Sequence, residues 1–314
     1  MKLQEISAAG TKKRTPHAIA ESFLQFSPRV VYRMSESAGQ SAALNESRTM
    51  WVFIDIASTS HLFLGEEGLA QAALRLSQDL GFGAQYAIAD TPAGAQAFTV
   101  ARANSIIPVG EEREGLKQLS LPLLLHLEGL VPWERPSQIE HILTFFMMIG
   151  FKTAGDLAKL TSTSFQERWG KTGGLLWKRL NALDRAAISP LNPTEPLQDY
   201  VHLDFPLSLV SLVLHHSEKS LDYLFARLAG RRLFARKLVL ILHCEYSTAK
   251  HRIEIEPNMP SRDRALFATL LENRLESLNL ENPIRDFEMF IIPGEEKVRQ
   301  LDFFEPRVTC RKVH

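Results

Sequence analysis

The stretch "SPLNPTEP" (189–196) sets three prolines within eight residues. Each proline removes a backbone donor and fixes φ, so neither a helix interior nor a central strand runs through it. With 314 residues, the chain exceeds one ordinary core. A linker over 189–199 therefore separates two folding regions. Beyond it the pattern predicts a strand at 200–205, a long helix at 207–229, strands at 236–246 and 250–256, a helix at 262–279 and a strand at 284–292. That order is βαββαβ, which folds as an antiparallel sheet with two helices on one face. After Pro293-Gly294 a polar tail occupies 295–314.

Upstream, residues 1–25 are polar and weakly patterned. "FSPRVVYRM" starts a strand after Pro28, and "TMWVFIDIA" (49–57) is a second, apolar one with Asp55 inside it. A carboxylate in an apolar strand is costly unless paired or used. After Gly65, Leu69, Ala73, Leu76 and Leu80 recur at helical spacing. "GAQYAIAD" (83–90) reads as one short strand, and Asp90-Thr91-Pro92 as a helix start with an N-cap oxygen and a first-turn proline. Strand–helix alternation over 1–115 implies an α/β layer. Residues 116–188 read as helices, beginning with "LKQLSLPLLLHLEGL". "IGFKTAGDLA" (149–158) is a short turn between two of them, expected to expose backbone N–H groups together with Lys152 and Thr153 at the start of the second helix.

Several functions are disfavoured. No apolar run reaches bilayer length, and the basic N-terminus lacks an apolar core for a secretory signal. Cys244 and Cys310 form no CxxC pattern, so neither a disulfide framework nor a zinc site is expected, and the location expected is cytoplasmic. Cys244 lies in an apolar strand as an inert thiol. His215 and His216 diverge around their helix and cannot face one ion together with Glu218; His61 and His126 have no partner at ligand spacing. "GKTGG" (170–174) lacks the glycine spacing and preceding strand of a phosphate loop. No cofactor or metal is expected. The absence of a carboxylate cluster disfavours a nuclease.

"FSPRV", "FIDIASTSHLFLGEE", "AQYAIADTPAGAQAFTVAR" and "IGFKTAGDLAKL", followed by βαββαβ, resemble in their order the Y-family (translesion) DNA polymerases, most closely the non-catalytic ImuB-type branch. The likeness covers about residues 23–294. It implies an α+β multidomain chain: a partial palm (1–115), a helical thumb with a helix–hairpin–helix (116–188), the linker (189–199), a little finger (200–294) and a tail (295–314). Active members carry an adjacent Asp-Glu pair a few residues before a structural Asp. Here the structural Asp matches Asp55, expected to accept hydrogen bonds from a neighbouring turn, and the pair falls on Met50 and Trp51. A thioether and an indole offer Mg²⁺ no oxygen ligand, so no catalytic residue and no enzyme activity is expected. Active members also begin with a strand bearing another metal-binding Asp, followed by a fingers domain. Residues 1–25 contain no aspartate and read as too short for both, so the palm is expected to lack a strand; a shortened protein, a misassigned start and a decayed gene all fit.

The resemblance also implies partners. Lys152, Thr153, Lys171, Lys178 and Arg179 in the thumb, with Arg231, Arg232, Arg236 and Lys237 before a little-finger strand, are candidates for a phosphate track. Basic and acidic residues balance at 36 each, so DNA binding without sequence readout should be weak and salt-sensitive. In the tail, Gln300, Leu301, Asp302, Phe303 and Phe304 resemble the bacterial sliding-clamp-binding pentapeptide, with Phe303 replacing a leucine. Aliphatic and aromatic anchors would fill a pocket while the glutamine sets register; tucking back onto the little finger as a closing strand is the alternative. ImuB-type proteins resemble adaptors linking a sliding clamp, a RecA-like accessory protein and a separate error-prone polymerase at the nucleoid. A remnant of a polymerase gene, or a DNA-binding module without clamp contact, remains the alternative.

Overall fold

The computed structural model describes residues 1–5, 14–35, 49–247, 250–280 and 282–294. The first sheet contains β1 (Lys2–Glu5), β2 (Val30–Ser35), β3 (Thr49–Ile54) and β4 (Phe82–Gln85) in the order β2-β3-β1-β4, all antiparallel. Alternation along the strands sorts the side chains by face. Leu3, Met50 and Met34 are register partners on one face, while Lys2, Trp51 and Arg33 are partners on the other. Leu3 and Met50 share a core with α1 (Pro16–Ser22) and α2 (Glu66–Asp79).

This sheet corrects the expectation of a missing strand. Residues 2–5 form β1 between β3 and β4, and the Met1 amine donates to the Val52 carbonyl at 2.8 Å. Four residues with one buried leucine are too short for a periodicity signal; the pairing of both neighbours supplies what the segment itself lacks. "GAQYAIAD" also differs from its reading as one strand. It divides at Tyr86 between β4 and β5 (Ala87–Ile88), and β5 pairs in parallel with β6 (Ser105–Ile106) in a separate two-stranded sheet.

Next come α3 (Pro92–Ala101), α4 (Glu112–Lys117), α5 (Pro136–Met148), α6 (Ala154–Ala158) and α7 (Ser162–Leu180). The single helix expected from Leu116 is instead the end of α4 and a 3₁₀ segment, Leu121–His126, because Pro122 interrupts the α-helical ladder. Gly170, at φ 60° and ψ −146°, breaks α7 within "GKTGG". After the prolines, β7 (Gln198–Leu207), α8 (Val210–Gly230), β8 (Phe234–Cys244), β9 (Lys250–Ile255), α9 (Arg264–Glu276) and β10 (Ile284–Gly294) follow in the order read from the sequence. Their sheet is antiparallel, β7-β10-β8-β9.

Burial groups these elements across the boundary expected at residue 115. One apolar core joins α1, α2 and one face of the first sheet to the face of the β7–β10 sheet that carries α8 and α9; a second spans Ala87–Leu180. The joint between α1 and α8 is polar at its centre. Glu21, fully buried, accepts from Arg227 Nε at 2.9 Å and Arg231 Nη2 at 2.7 Å. Arg227 also donates to the Pro196 and Glu195 carbonyls, and Arg14 pairs with Asp199 at 2.9 Å. A Cβ at Gly230 would stand 2.2 Å from the Glu21 carbonyl oxygen, so α8 meets α1 only because this residue has no side chain.

Candidate functional site

Met50 and Trp51 are both buried in β3, and neighbouring residues on one strand point to opposite faces. Asp55 does not lie inside the apolar strand as expected. It stands one residue past the end of β3, where Oδ2 is 3.1 Å from Arg29 Nη1 and Oδ1 accepts from Ala57 N at 3.2 Å. An ion pair and a short turn account for this carboxylate.

The face bearing Trp51 is closed off. Arg33, beside Trp51 in register, donates through Nη2 to Glu128 Oε2 at 2.6 Å and to Gln96 Oε1 at 3.0 Å. Gln96 is itself buried, donates to Glu128 at 3.3 Å and accepts from Gly129 N at 2.9 Å. A charge-assisted bond from the arginine beside Trp51 thus ties the first sheet to α3 and the segment after the 3₁₀ turn.

"ADTPAG" has a structural explanation. Thr91 caps α3 by accepting from Gly94 N at 3.1 Å, while its own N–H and Oγ1 donate to the Glu112 carboxylate at 2.6 and 2.5 Å. Burial pushes the Glu112 carboxyl up against the pull of these hydrogen bonds. Gly94 makes the approach possible: a Cβ there would lie 2.1 Å from Glu112 Oε1.

The hairpin before α6 differs from its sequence reading. The Lys152 and Thr153 N–H groups are not offered to a ligand; they donate to Asp156 Oδ2 at 3.1 and 3.2 Å, and Thr153 Oγ1 does so at 3.2 Å. Backbone hydrogen bonds from Lys152 and Thr153, then Lys159, hold Asp156 down at about 2. A carboxylate occupies the place that a phosphate oxygen would take.

The remaining candidate cations divide sharply. Lys152, Lys171, Lys178 and Arg232 are exposed and carry no ion pair among the described residues. Arg179 is excluded from a phosphate track because it is buried, pairs with Asp184 at 2.8 Å and lies over Trp133. Arg231 is excluded likewise by its bond to Glu21. On the sheet surface, Arg236 faces Glu256 at 3.5 Å and Lys237 bridges Glu254 and Glu256 at 3.1 Å each. Hydrogen bonds to Glu254 and then Glu256 hold Lys237 above its ordinary value.

Sequence reasoning missed Arg113 and Lys117. Four residues apart on α4, they line a groove of about 310 Å³ with Thr153, Asp156 and Lys159; their spacing on one helical face was the available signal. It also missed a larger cleft of about 520 Å³ between β3, α2 and the start of α3, lined by residues that include Phe53, Ile54, Leu69, Asp90, Ala95 and Val109. Among the described residues, no three His, Cys, Asp or Glu side chains are placed to share a metal ion. No helix among them is long and apolar enough to cross a membrane. Gln300, Leu301, Asp302, Phe303 and Phe304 lie outside the described residues.

No family model and no curated protein matches the chain. Similar solved structures include a Y-family DNA polymerase chimera of Dbh and Dpo4, with 12% identity, 88% of this chain and 75% of that chain covered and a TM-score of 0.35. A DinB family error-prone DNA polymerase from Sulfolobus solfataricus has 13% identity, covers 88% and 77%, and scores 0.37. The little finger domain of PolIV, in a complex with the beta-clamp processivity factor, has 13% identity, covers 35% of this chain and 100% of that chain, and scores 0.28. At such TM-scores these likenesses assign neither fold nor function.

Proposed function

We propose that the chain is a non-catalytic relative of the Y-family DNA polymerases, acting as an adaptor in damage-induced mutagenesis. Its tail binds the sliding clamp, and its helical region makes weak contacts with DNA. The observation that carries the reading is Met50-Trp51 at the positions of the metal-binding pair, buried in β3 beside Arg33 and its bonds to Glu128 and Gln96. Mg²⁺ requires oxygen ligands, and two-metal nucleotide transfer requires carboxylates to hold both ions. The closed face of the first sheet further supports the absence of that chemistry.

For DNA, the exposed Arg113, Lys152, Lys171 and Lys178, unpaired among the described residues, support contact through the helical region, where Lys117 pairs with Glu114 and Lys159 with Asp156, rather than through the β8 face, where Arg236 and Lys237 are neutralised by glutamates. For the clamp, support comes from the sequence of residues 300–304, where a glutamine precedes aliphatic and aromatic anchors. A RecA-like accessory protein and a separate error-prone polymerase complete the proposed assembly.

The test pairs two assays on the full chain. Primer extension with Mg²⁺ or Mn²⁺ should give no template-directed incorporation. Titration of purified sliding clamp should show binding that Gln300→Ala, Leu301→Ala and Phe304→Ala together weaken by more than tenfold, as expected when anchors worth about 2 kcal/mol are truncated. Incorporation that follows the purified protein refutes the first half; equal clamp binding by wild type and variant, or none by either, refutes the second.

A further inference from the structure

The second sheet ends on β9, whose outer edge has no strand beside it among the described residues. Such an edge offers unpaired N–H and C=O groups to any extended chain, and folds commonly blunt it with a proline, a bulge or a break in pairing. The opposite edge is blunted in this way. β7 contains Pro206, and its register with β10 shifts between Ile284 and Asp286. β9 has neither device: it holds no proline, and its register with β8 runs unbroken from Lys250 to Ile255.

The order of charge along β9 is specific. Strand alternation puts Ile253 and Ile255 into the first core and leaves Lys250, Arg252 and Glu254 exposed on the other face, with the exposed Glu256 just past the strand. Two cations are thus followed by two carboxylates at every second position. Laid antiparallel against itself about Ile253, this segment sets Lys250 opposite Glu256 and Arg252 opposite Glu254, each twice by symmetry. A shift of two residues centres the pair on Arg252 or Glu254 and sets that residue against its own copy. A one-residue slip turns the charged face against the apolar one, and parallel pairing in register sets like against like. A single register satisfies every charged position.

We propose that β9 pairs in this register with β9 of a second copy, joining two four-stranded sheets into one of eight strands. An isologous contact requires a surface complementary to itself, and the charge order on β9 supplies that. Lys250 carries no ion pair among the described residues and gains one with Glu256 of the other copy. Arg252, 2.7 Å from Glu254 of its own strand, gains a second carboxylate, while Lys237 at 3.1 Å from Glu254 and Glu256 keeps both on the sheet surface. Exposed ion pairs add little energy, so the backbone hydrogen bonds of the added strand hold the copies together and the charges fix the register. One strand pair is a small interface, and the expected dissociation constant is on the order of 10–100 µM. Neither DNA nor clamp takes part.

Sedimentation equilibrium of the full chain, from low micromolar to several hundred micromolar without DNA or clamp, tests this. Wild type should dimerise reversibly. Lys250→Glu with Arg252→Glu sets glutamate against glutamate at every charged position of the pair, and Glu254→Lys with Glu256→Lys sets cation against cation. Each variant should associate with itself at least tenfold more weakly, because like charges directly opposite work against pairing. Mixing the two restores opposite charges at every position, and a heterodimer about as tight as the wild-type dimer should form. All four substituted side chains are exposed, so the melting temperature of each variant should stay near that of wild type. If the second variant loses its fold with the Lys237 pairs, disulfide formation between Arg252→Cys and Glu254→Cys chains, each also carrying Cys310→Ser, reads the same register without charge reversal. A wild type that stays monomeric, variants that associate like wild type, or a mixture without recovery would each overturn the proposal. Dimerisation that appears only when residues 295–314 are removed would assign the edge to the chain's own tail and overturn it too.

Discussion

Replacing Glu21 with alanine should separate the two halves of the first core. Its carboxylate is fully buried and receives two guanidinium groups, Arg227 at 2.9 Å and Arg231 at 2.7 Å; Arg227 is itself nearly inaccessible to solvent. Removing one member of such a cluster leaves buried positive charge uncompensated, which destabilises by about 3–5 kcal/mol. The Glu195 and Pro196 carbonyls still accept from Arg227, which places the effect toward the lower end. With a urea slope of about 3 kcal/mol/M, the midpoint should fall by about 1 M or slightly more. Urea unfolding read by tryptophan fluorescence and circular dichroism measures this. Arg227→Ala should be comparably harmful, and Glu21→Ala with Arg227→Met should destabilise by clearly less than the sum, because the partners act as a unit. A Glu21→Ala effect below about 1 kcal/mol, or additivity in the double variant, would refute the view that this cluster joins α1 to α8.

Two further perturbations follow from the geometry. Gly94→Ala drives a methyl into Glu112, 2.1 Å from Oε1, and should destabilise by about 1–3 kcal/mol in thermal unfolding, with a smaller effect in a Glu112→Ala background. Asp156, held at about 2 by backbone hydrogen bonds, contributes stability that is complete above its ordinary value of 3.8 and is lost as pH falls through about 2; carboxyl NMR should find that midpoint, and Asp156→Asn should remove this part of the acid response.

What was legible in the sequence was what repeats. The strands and helices from β7 to β10 show because each is long enough to display its period, and the prolines before them mark the break. The start of α3 shows because Thr91-Pro92 carries its own capping chemistry. β1 did not show: four residues joined between two strands are recruited by pairing rather than by propensity. The pairing of Arg231 with Glu21, 210 residues away, was equally hidden. A cation's availability depends on what the fold places beside it, and composition counts Arg179, Arg231 and Lys237 the same as the free Lys152 and Lys171. The hairpin failed for a local reason that was visible, since Asp156 stands three residues after Thr153 in a capping-box position.

Neutralisation of the β8 cations changes how the proposed adaptor would hold DNA. A chain with balanced charge has non-specific affinity toward the weak end, near 10⁻⁴ M on the order of magnitude usual for such contacts. Alone, that affinity leaves the protein unbound at micromolar concentration. Tethered to a clamp that encircles the duplex, the chain experiences DNA at an effective concentration of about a millimolar, which is roughly tenfold above such a dissociation constant and gives about nine-tenths occupancy. Strong DNA binding is then unnecessary, and it would hinder release when another polymerase takes the primer end. The proposed absence of metal ligands at Met50-Trp51 and the internal pairing of Arg231, Arg236 and Lys237 fit the one proposal, a scaffold whose residence on DNA would be set by its protein contacts.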